Sequence, residues 1–139
     1  MVPYERKVFY YETDRMGIVH HSNYIRWMEE ARIDYLEQIG LPYDRMEQEG
    51  IMIPVLSAAV EYKKPFRFGD IFQVELRLVQ FSGLKFAMEY DIFNRETGEL
   101  CATAHSAHAF VDKRMMPVRL HKEYPAIYEG IRACLKGDE

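Results

Sequence analysis

Residues 23–39 carry the strongest helical pattern in the sequence, and the helix that they predict is apolar around much of its circumference. Apolar side chains recur at helical spacing at Tyr24, Trp27, Met28, Ala31, Tyr35, Leu36 and Ile39. Ser22 or Asn23 can cap the start of this helix, and Gly40 followed by a proline can end it. Because a flat sheet cannot cover so much apolar surface, we expect a sheet that curls around the helix.

Strand-like segments make up most of the remaining chain. They span residues 4–11, 51–64, 71–80, 84–94 and 99–111. Gly83 and Gly98 mark short turns between the last three segments, which predicts an antiparallel meander. Shorter elements complete the chain: a loop over 12–22, one helical turn over 43–49 and a closing helix over 122–135. We therefore expect residues 1–139 to form a single α+β domain, an antiparallel five-stranded sheet wrapped around one long helix.

The composition argues against several classes of protein. A net charge of −4 over 139 residues argues against a strong basic field, so we expect no nucleic-acid partner. Cys101 and Cys134 form no CxxC pair, which favours a reducing compartment and predicts a cytoplasmic protein. The longest nearly apolar stretch, residues 51–60, is only about half as long as a membrane span, so we expect no integral membrane segment.

The segment between the first strand and the long helix places a carboxylate, a glycine and two histidines just before a helix N-terminus. Free amides and partial positive charge at a helix N-terminus can hold an oxyanion. Asp14, placed opposite them, can act as a nucleophile or general base, and acyl transfer needs both parts. Simpler interpretations stay open, because Asp14 can form an Asx turn before Gly17. His20 and His21 can likewise be ordinary loop residues.

One stretch resembles the N-terminal signature of the 4-hydroxybenzoyl-CoA thioesterase family, whose members are hotdog-fold acyl-CoA thioesterases. It is YETDRMGIVHHSNYIRWMEEARIDYL, residues 11–36, and the matched pattern is Tyr-x-x-x-Asp-x-x-Gly-x-Val-x-x-x-x-Tyr followed by an amphipathic helix. His21 is similar to the histidine of the Tol–Pal-associated branch. A second match, Val60-x-Tyr62-x-x-Pro65-x-x-x-Gly69-Asp70, resembles that family's loop between two strands. The order of elements also agrees, so the resemblance implies a hotdog fold.

The resemblance implies an enzyme that splits acyl-CoA into a carboxylic acid and coenzyme A without a cofactor. The family's catalytic aspartate falls on Asp14, and its oxyanion-binding amide and substrate-orienting side chain fall on His21. Substrate contacts are expected at Gly17, Val19, His20 and Tyr24. Two departures are visible, since Glu12 stands where the branch often has aspartate and His20 replaces an aromatic residue. Exposed sheet edges and the resemblance together predict a homo-oligomer, a dimer or tetramer with active sites between subunits.

Other residues are weaker candidates for chemistry. Glu29 or Glu30 on the long helix can serve as a base, although a solvated helix face explains both. His105 and His108 are three residues apart in a strand and point to opposite faces, so no metal site is expected. Two basic clusters can bind coenzyme A phosphates or remain exposed charges: Lys63, Lys64 and Arg67, and Lys113, Arg114, Arg119 and Lys122.

Two alternative functions stay open at this point. A hotdog dehydratase or related carrier-protein enzyme would use a histidine base and would not need the Asp14 loop. A non-catalytic acyl-group binding or scaffold protein would bind the acyl group without turnover. Release of free thiol from acyl-CoA distinguishes hydrolysis from both alternatives.

Overall fold

The computed structural model describes residues 2–137, which form one five-stranded antiparallel sheet with helices packed on it. The strands are β1 (Tyr4–Lys7), β2 (Val55–Tyr62), β3 (Ile71–Phe81), β4 (Lys85–Asn94) and β5 (Leu100–Ala109). The helices are α1 (Ser22–Gln38), α2 (Tyr43–Gln48), α3 (Leu120–Glu123) and α4 (Pro125–Gly137). The strand order is β1-β3-β4-β5-β2, and every neighbouring pair is antiparallel. This confirms the predicted α+β fold class.

The strands β3, β4 and β5 are consecutive neighbours in the sheet, as the predicted meander requires. Gly83 and Gly98 lie in the turns between them with φ angles of 87° and 75°. Residues with side chains are strained at such angles, so glycine lets each strand reverse within a few residues. β2 precedes these strands in the chain but pairs with β5 at the far edge of the sheet.

α1 packs on the sheet through one stripe of its surface. Its buried residues are Tyr24, Trp27, Met28, Ala31 and Tyr35. The Trp27 indole stacks on Phe72 of β3 with 3.9 Å between the ring centroids. Ile33 and Leu36 are only half-buried and Ile25 is exposed, so the covered stripe is narrower than the sequence pattern predicted. None of the helices within residues 2–137 has the length and apolar character needed to cross a bilayer.

Three predicted elements have clearly different bounds in the structure. The strand expected over 51–64 spans only Val55–Tyr62. The strand expected over 4–11 ends at Lys7, because Val8 turns into the core and the chain then forms a 3-10 helix over Tyr10–Glu12. The helix expected over 122–135 is divided into α3 and α4. Pro125 begins α4, where its missing N–H costs nothing because the first helical amides lack partners anyway.

Candidate functional site

The loop between β1 and α1 holds Asp14 in a closed turn. Thr13 and Val19 pair as an isolated antiparallel bridge at the base of this loop. The Asp14 amide donates to the Ile18 carbonyl at 2.8 Å. Gly17 has a φ of 78° and donates its amide to the Asp14 carbonyl at 3.0 Å. Both the amide and the carbonyl of Asp14 are thus hydrogen-bonded within the loop, which fixes the backbone at this position.

The Asp14 side chain forms the Asx turn that the sequence allowed. Its Oδ1 accepts the Met16 amide at 2.8 Å. Within the described residues, no hydrogen bond engages the second carboxylate oxygen, Oδ2. The turn and a chemical role are therefore compatible, because the turn uses one oxygen and a nucleophile or base needs only the other.

Asp14 borders an open cleft of about 330 Å³ between its own loop, the start of α1 and the end of β2. The lining residues are Asp14, Met16, Ile18, Val19, His21, Tyr24, Tyr62, Lys63, Lys64 and Pro65. The cleft therefore brings together four of the residues that the sequence analysis selected, Asp14, Val19, His21 and Tyr24. Gly17 and His20 do not line it, since Gly17 shapes the loop and His20 is exposed beside the helix start.

The start of α1 differs from the predicted cap. The helix begins at Ser22 with His21 in the cap position, so the prediction of Ser22 or Asn23 as the N-cap was wrong. The His20 imidazole, one residue before the cap, provides the side-chain acceptor at the helix start, because its Nδ1 accepts the Ser22 amide at 3.2 Å and lies 2.8 Å from Ser22 Oγ. Asn23 donates its side-chain amide to the Glu12 carbonyl at 2.9 Å, which ties the helix to the preceding loop.

The His21 amide is a candidate oxyanion donor. The following amides have partners, since Asn23 donates to the His20 carbonyl at 3.0 Å and Tyr24 donates to the His21 carbonyl at 3.3 Å. The His21 N–H donates to no group in the part of the chain that the structure describes. It lies at the N-terminus of a 17-residue helix, where the helix dipole adds partial positive charge. An amide of this kind beside a reacting carbonyl stabilises developing negative charge.

Tyr24 and Tyr62 form an aromatic wall of the cleft. Their rings meet edge to face with 4.9 Å between centroids. The Tyr62 hydroxyl donates to the His21 carbonyl at 3.2 Å, and the His21 ring stacks on His20 with a centroid distance of 4.2 Å. Burial raises the pKa of both tyrosines above the ordinary value, so they are neutral phenols at physiological pH.

The first basic cluster reaches the cleft and the second does not. Lys63 and Lys64 line the cleft, and Lys64 Nζ pairs with Glu99 at 2.9 Å. A Cβ atom placed on Gly17 would lie 3.9 Å from the Arg67 guanidinium, so Arg67 is beside the Asp14 loop. The members of the second cluster, Lys113, Arg114, Arg119 and Lys122, are absent from the lining.

A buried ionic network supports the Asp14 loop, and the sequence analysis missed it. Glu12 is only 2% exposed, and its carboxylate accepts two hydrogen bonds from the Arg6 guanidinium at 3.0 and 2.8 Å. It also accepts the Trp27 indole N–H at 2.9 Å and the Phe9 amide at 2.8 Å. The one available signal was Trp27 itself, because a buried indole N–H needs an acceptor.

Glu12 is a structural anion rather than a base. Burial raises the pKa of its carboxyl, but the hydrogen bonds from Arg6, Trp27 and Phe9 outweigh burial and bring that pKa below its ordinary value. Arg6 also pairs with Glu30 at 2.8 Å. The interpretation of Glu30 as part of a solvated helix face was therefore wrong, whereas Glu29 is exposed.

The other side chains considered for metal binding or nucleophilic chemistry are the two histidines of β5 and Cys101. His105 is exposed and His108 is buried, on opposite faces of β5 as predicted. Burial raises the pKa of the Cys101 thiol, which disfavours the reactive thiolate. Among residues 2–137 no group of three histidine, cysteine, aspartate or glutamate side chains has an arrangement suited to a metal ion.

Comparison with known proteins assigns the chain to a family. A family model described as the thioesterase-like superfamily matches residues 8–128. YneP of Bacillus subtilis (strain 168), provisionally named an acyl-CoA thioesterase, is 38% identical over 122 residues, covering 87% of this chain and 88% of YneP. A 1,4-dihydroxy-2-naphthoyl-CoA hydrolase of Thermosynechococcus vestitus is 29% identical over 106 residues, covering 76% of this chain and 72% of the relative.

A solved structure has a closely similar backbone. The crystal structure of a DHNA-CoA thioesterase from Staphylococcus aureus matches with a TM-score of 0.91 and 32% sequence identity. The match covers 99% of this chain and 95% of the Staphylococcus protein. The hotdog fold expected from the sequence resemblance is thereby confirmed.

Proposed function

The chain belongs to the thioesterase-like superfamily and is a thioester hydrolase, and we propose that it hydrolyses acyl-CoA to a carboxylic acid and coenzyme A. The observation that carries this proposal is the cleft that Asp14 and His21 both border. A carboxylate with one unengaged oxygen and an unengaged helix-terminal amide are the two groups that thioester hydrolysis uses. The motif over residues 11–36 supports a finer place in the 4-hydroxybenzoyl-CoA thioesterase family, near the Tol–Pal-associated branch.

The proposed reaction proceeds through Asp14. Its Oδ2 either attacks the thioester carbonyl carbon or takes a proton from a water molecule that attacks this carbon. In both routes a C–O bond forms, the carbonyl π electrons move to oxygen, and the His21 N–H donates to the resulting oxyanion. Collapse of this intermediate breaks the C–S bond, and the leaving thiolate of coenzyme A takes up a proton. If Asp14 is the nucleophile, water then hydrolyses the mixed anhydride.

We propose that the acyl group is aromatic and planar. Tyr62 is 51% exposed in the wall that it forms with the buried Tyr24, and its ring can stack against such a group. Two of the similar proteins are named for 1,4-dihydroxy-2-naphthoyl-CoA and DHNA-CoA. Val19 contributes to the apolar part of the cleft lining. Gly17 and His20 affect substrate binding only indirectly, by shaping the Asp14 loop and the start of α1. Lys63 and Lys64 at the same cleft can bind the phosphates of coenzyme A.

An acyl-CoA panel tests this function. Released coenzyme A is measured with a thiol reagent for 1,4-dihydroxy-2-naphthoyl-CoA, benzoyl-CoA and hexanoyl-CoA, and we expect kcat/KM to be highest for the aromatic substrates. Absence of thiol release from every acyl-CoA would contradict hydrolysis and support a binding or scaffold role. Conversion of 3-hydroxyacyl-CoA to enoyl-CoA without thiol release would support the dehydratase alternative.

His21→Ala is expected to lower kcat less than Asp14→Asn does. The backbone amide survives this substitution, so only the contacts of the imidazole with His20 and Tyr62 are lost. Steady-state kcat and KM of both variants provide the comparison, with His105→Ala on the exposed face of β5 as the matched control. If His21→Ala proved the more damaging, the base would be the imidazole and the assignment of Asp14 would be wrong.

We also propose that the protein is a homo-oligomer, and the argument comes from the two edges of the sheet. β1 has only four residues, and a very short edge strand is a weak template for pairing. β2 has eight residues, and all of them except Val60 are exposed, including Val55, Leu56 and Tyr62. A long apolar edge of this kind is normally covered, and pairing of β2 with a second copy would cover it. Because Tyr62 also lines the cleft, such a dimer would place the cleft at the subunit interface.

Light scattering at micromolar concentration is expected to give at least a dimer, with pairing of dimers into a tetramer. Leu56→Lys should shift the mass toward the 16.5 kDa monomer by adding a charge to the β2 edge. Met116→Lys is the matched control, because Met116 is similarly exposed (58% against 52%) but lies outside the sheet. A stable, active wild-type monomer would contradict both the assembly and a cleft shared between subunits.

Two further expectations are retained as proposals. One contiguous sheet and core support a single hotdog domain over residues 1–139. Cys101 is a buried free thiol, which supports a cytoplasmic location.

A further inference from the structure

A second cavity lies at the opposite end of α1 from the Asp14 cleft. It has a volume of about 140 Å³, is partly open to solvent, and is bordered by the second half of α1, by α2, by Ile131 of α4 and by the sheet. Its lining is mainly apolar, with Leu36, Ile53, Phe86 and Phe110 among the contributors. Arg32 also lines it and is eleven residues beyond His21, about 16 Å along a helix axis. The two cavities share no lining residue.

The size of this cavity fits a ligand with one aromatic ring. An apolar protein cavity of about 150 Å³ binds benzene. The apolar walls favour a hydrocarbon body rather than a cluster of water molecules.

The positive charge of Arg32 indicates that the ligand carries a negatively charged group. Arg32 is half-buried, and its Nη1 donates to the Tyr90 hydroxyl at 3.0 Å. No ion pair among residues 2–137 includes Arg32. A half-buried guanidinium with five N–H donors normally meets a carboxylate or phosphate. Glu29 also borders the cavity, but it is exposed and forms no ion pair with Arg32.

A buried chain of hydrogen bonds holds Arg32 in place without neutralising it. The Tyr90 hydroxyl lies 2.6 Å from Ser106 Oγ, which lies 2.7 Å from His108 Nε2. Because Arg32 donates to the Tyr90 hydroxyl, that hydroxyl can donate to Ser106 and the Ser106 hydroxyl can donate to His108 Nε2. None of the groups that follow Arg32 in this series of hydrogen bonds carries a negative charge. Burial, followed by the nearby Arg32 charge, lowers the pKa of His108 to about 4, so the ring is neutral at physiological pH.

We infer that this cavity is a binding site for a small apolar monocarboxylate, with its carboxylate on Arg32 and its ring or short chain against Leu36, Phe86 and Phe110. The inference stands on the cavity and on the unpaired guanidinium, and it does not require the proposed function. If the proposed function holds, the ligand belongs to the same chemical class as the acid product. Occupancy of this site would then depend on the product concentration, at a position separate from Asp14.

Binding of benzoate to the intact protein tests the inference. Two-dimensional NMR titration is expected to show millimolar or tighter binding, with intermolecular NOEs from the benzoate ring to the methyl groups of Ile33, Leu36 and Ile53. Benzyl alcohol has the same ring without the charge and should bind at least tenfold more weakly. Asp14→Asn should bind benzoate as the wild type does, which separates this site from the proposed catalytic cleft.

Variants of the charged groups provide the second part of the test. Arg32→Gln should weaken benzoate binding at least tenfold and leave benzyl alcohol binding unchanged, whereas Arg32→Lys should restore part of the benzoate affinity. Arg26→Gln, an exposed arginine on the same helix, is the matched control and should have no effect. Glu29→Gln should tighten benzoate binding slightly, because a nearby negative charge is removed.

Three outcomes would overturn the inference. The first is equal affinity for benzoate and benzyl alcohol, which would leave the guanidinium without a role. The second is a set of benzoate NOEs confined to Val19 and Tyr24, which would place the ligand in the Asp14 cleft. The third is the absence of NOEs to Ile33, Leu36 and Ile53 in the wild type, a result that needs no variant to fold.

Discussion

Asp14→Asn is expected to lower kcat by about 10²–10⁴-fold, the contribution of a positioned general base, while the protein stays folded. The substitution is close to isosteric, and the Asn Oδ1 can still accept the Met16 amide that Asp14 Oδ1 accepts at 2.8 Å. The Asx turn therefore survives. What is lost is the second oxygen, since an amide nitrogen at that position neither attacks a carbonyl carbon nor accepts a proton.

The matched control for this experiment is Asp44→Asn. Asp44 is an exposed aspartate in the first turn of α2, so its replacement removes the same charge away from the cleft. Initial rates with the best substrate of the acyl-CoA panel should remain at the wild-type level in the control. Circular dichroism and the unfolding midpoint should agree among the three proteins. If Asp14→Asn kept activity within about tenfold of wild type, a base contribution of the expected size would be absent.

The parts of the fold that the sequence predicted are those specified by local patterns. The spacing of Trp27, Met28 and Ala31 predicted α1, and the turn glycines Gly83 and Gly98 predicted the antiparallel meander of β3, β4 and β5. The approach of Asp14 to the helix start was also predictable, because a short loop connects them.

The parts that escaped prediction depend on partners distant in sequence. Glu12 looked like a conservative variation in a motif, yet its burial follows from Arg6 on β1 and Trp27 on α1. The hydrogen-bonded chain from Arg32 to His108 joins α1 to two strands, and no spacing rule brings such residues together. The cap of α1 was mispredicted for a local reason, because the His20 imidazole supplied the acceptor that Ser22 was expected to supply.

Glu12→Gln is expected to lower the free energy of unfolding by about 3–5 kcal/mol, the usual cost of removing one partner from a buried ion pair. The carboxylate accepts from Arg6, Trp27 and the Phe9 amide, and it is 2% exposed. A glutamine turns one acceptor oxygen into an NH₂ group, which faces donors and leaves at least one of them without a partner. Urea unfolding followed by Trp27 fluorescence measures the change.

The matched control is Glu99→Gln, which removes the exposed partner of Lys64. Surface pairs contribute little, so this variant should unfold close to the wild-type midpoint. If Glu12→Gln were as stable as Glu99→Gln, the buried network would not stabilise the Asp14 loop.

The pH dependence of the wild type and the Glu12→Gln variant separates the charge of Glu12 from its shape. The folded-state pKa of Glu12 lies below its unfolded value of about 4.5, so its stabilising contribution is complete above that pH. The contribution is lost as the pH falls through the folded pKa, because the unfolded chain binds the proton first. The glutamine side chain of the variant does not titrate, so the wild type should lose stability more steeply below pH 4.5 and approach the variant. A difference that stayed constant with pH would mean that the loss comes from packing, and that the Arg6–Glu12 ion pair contributes no stability of its own.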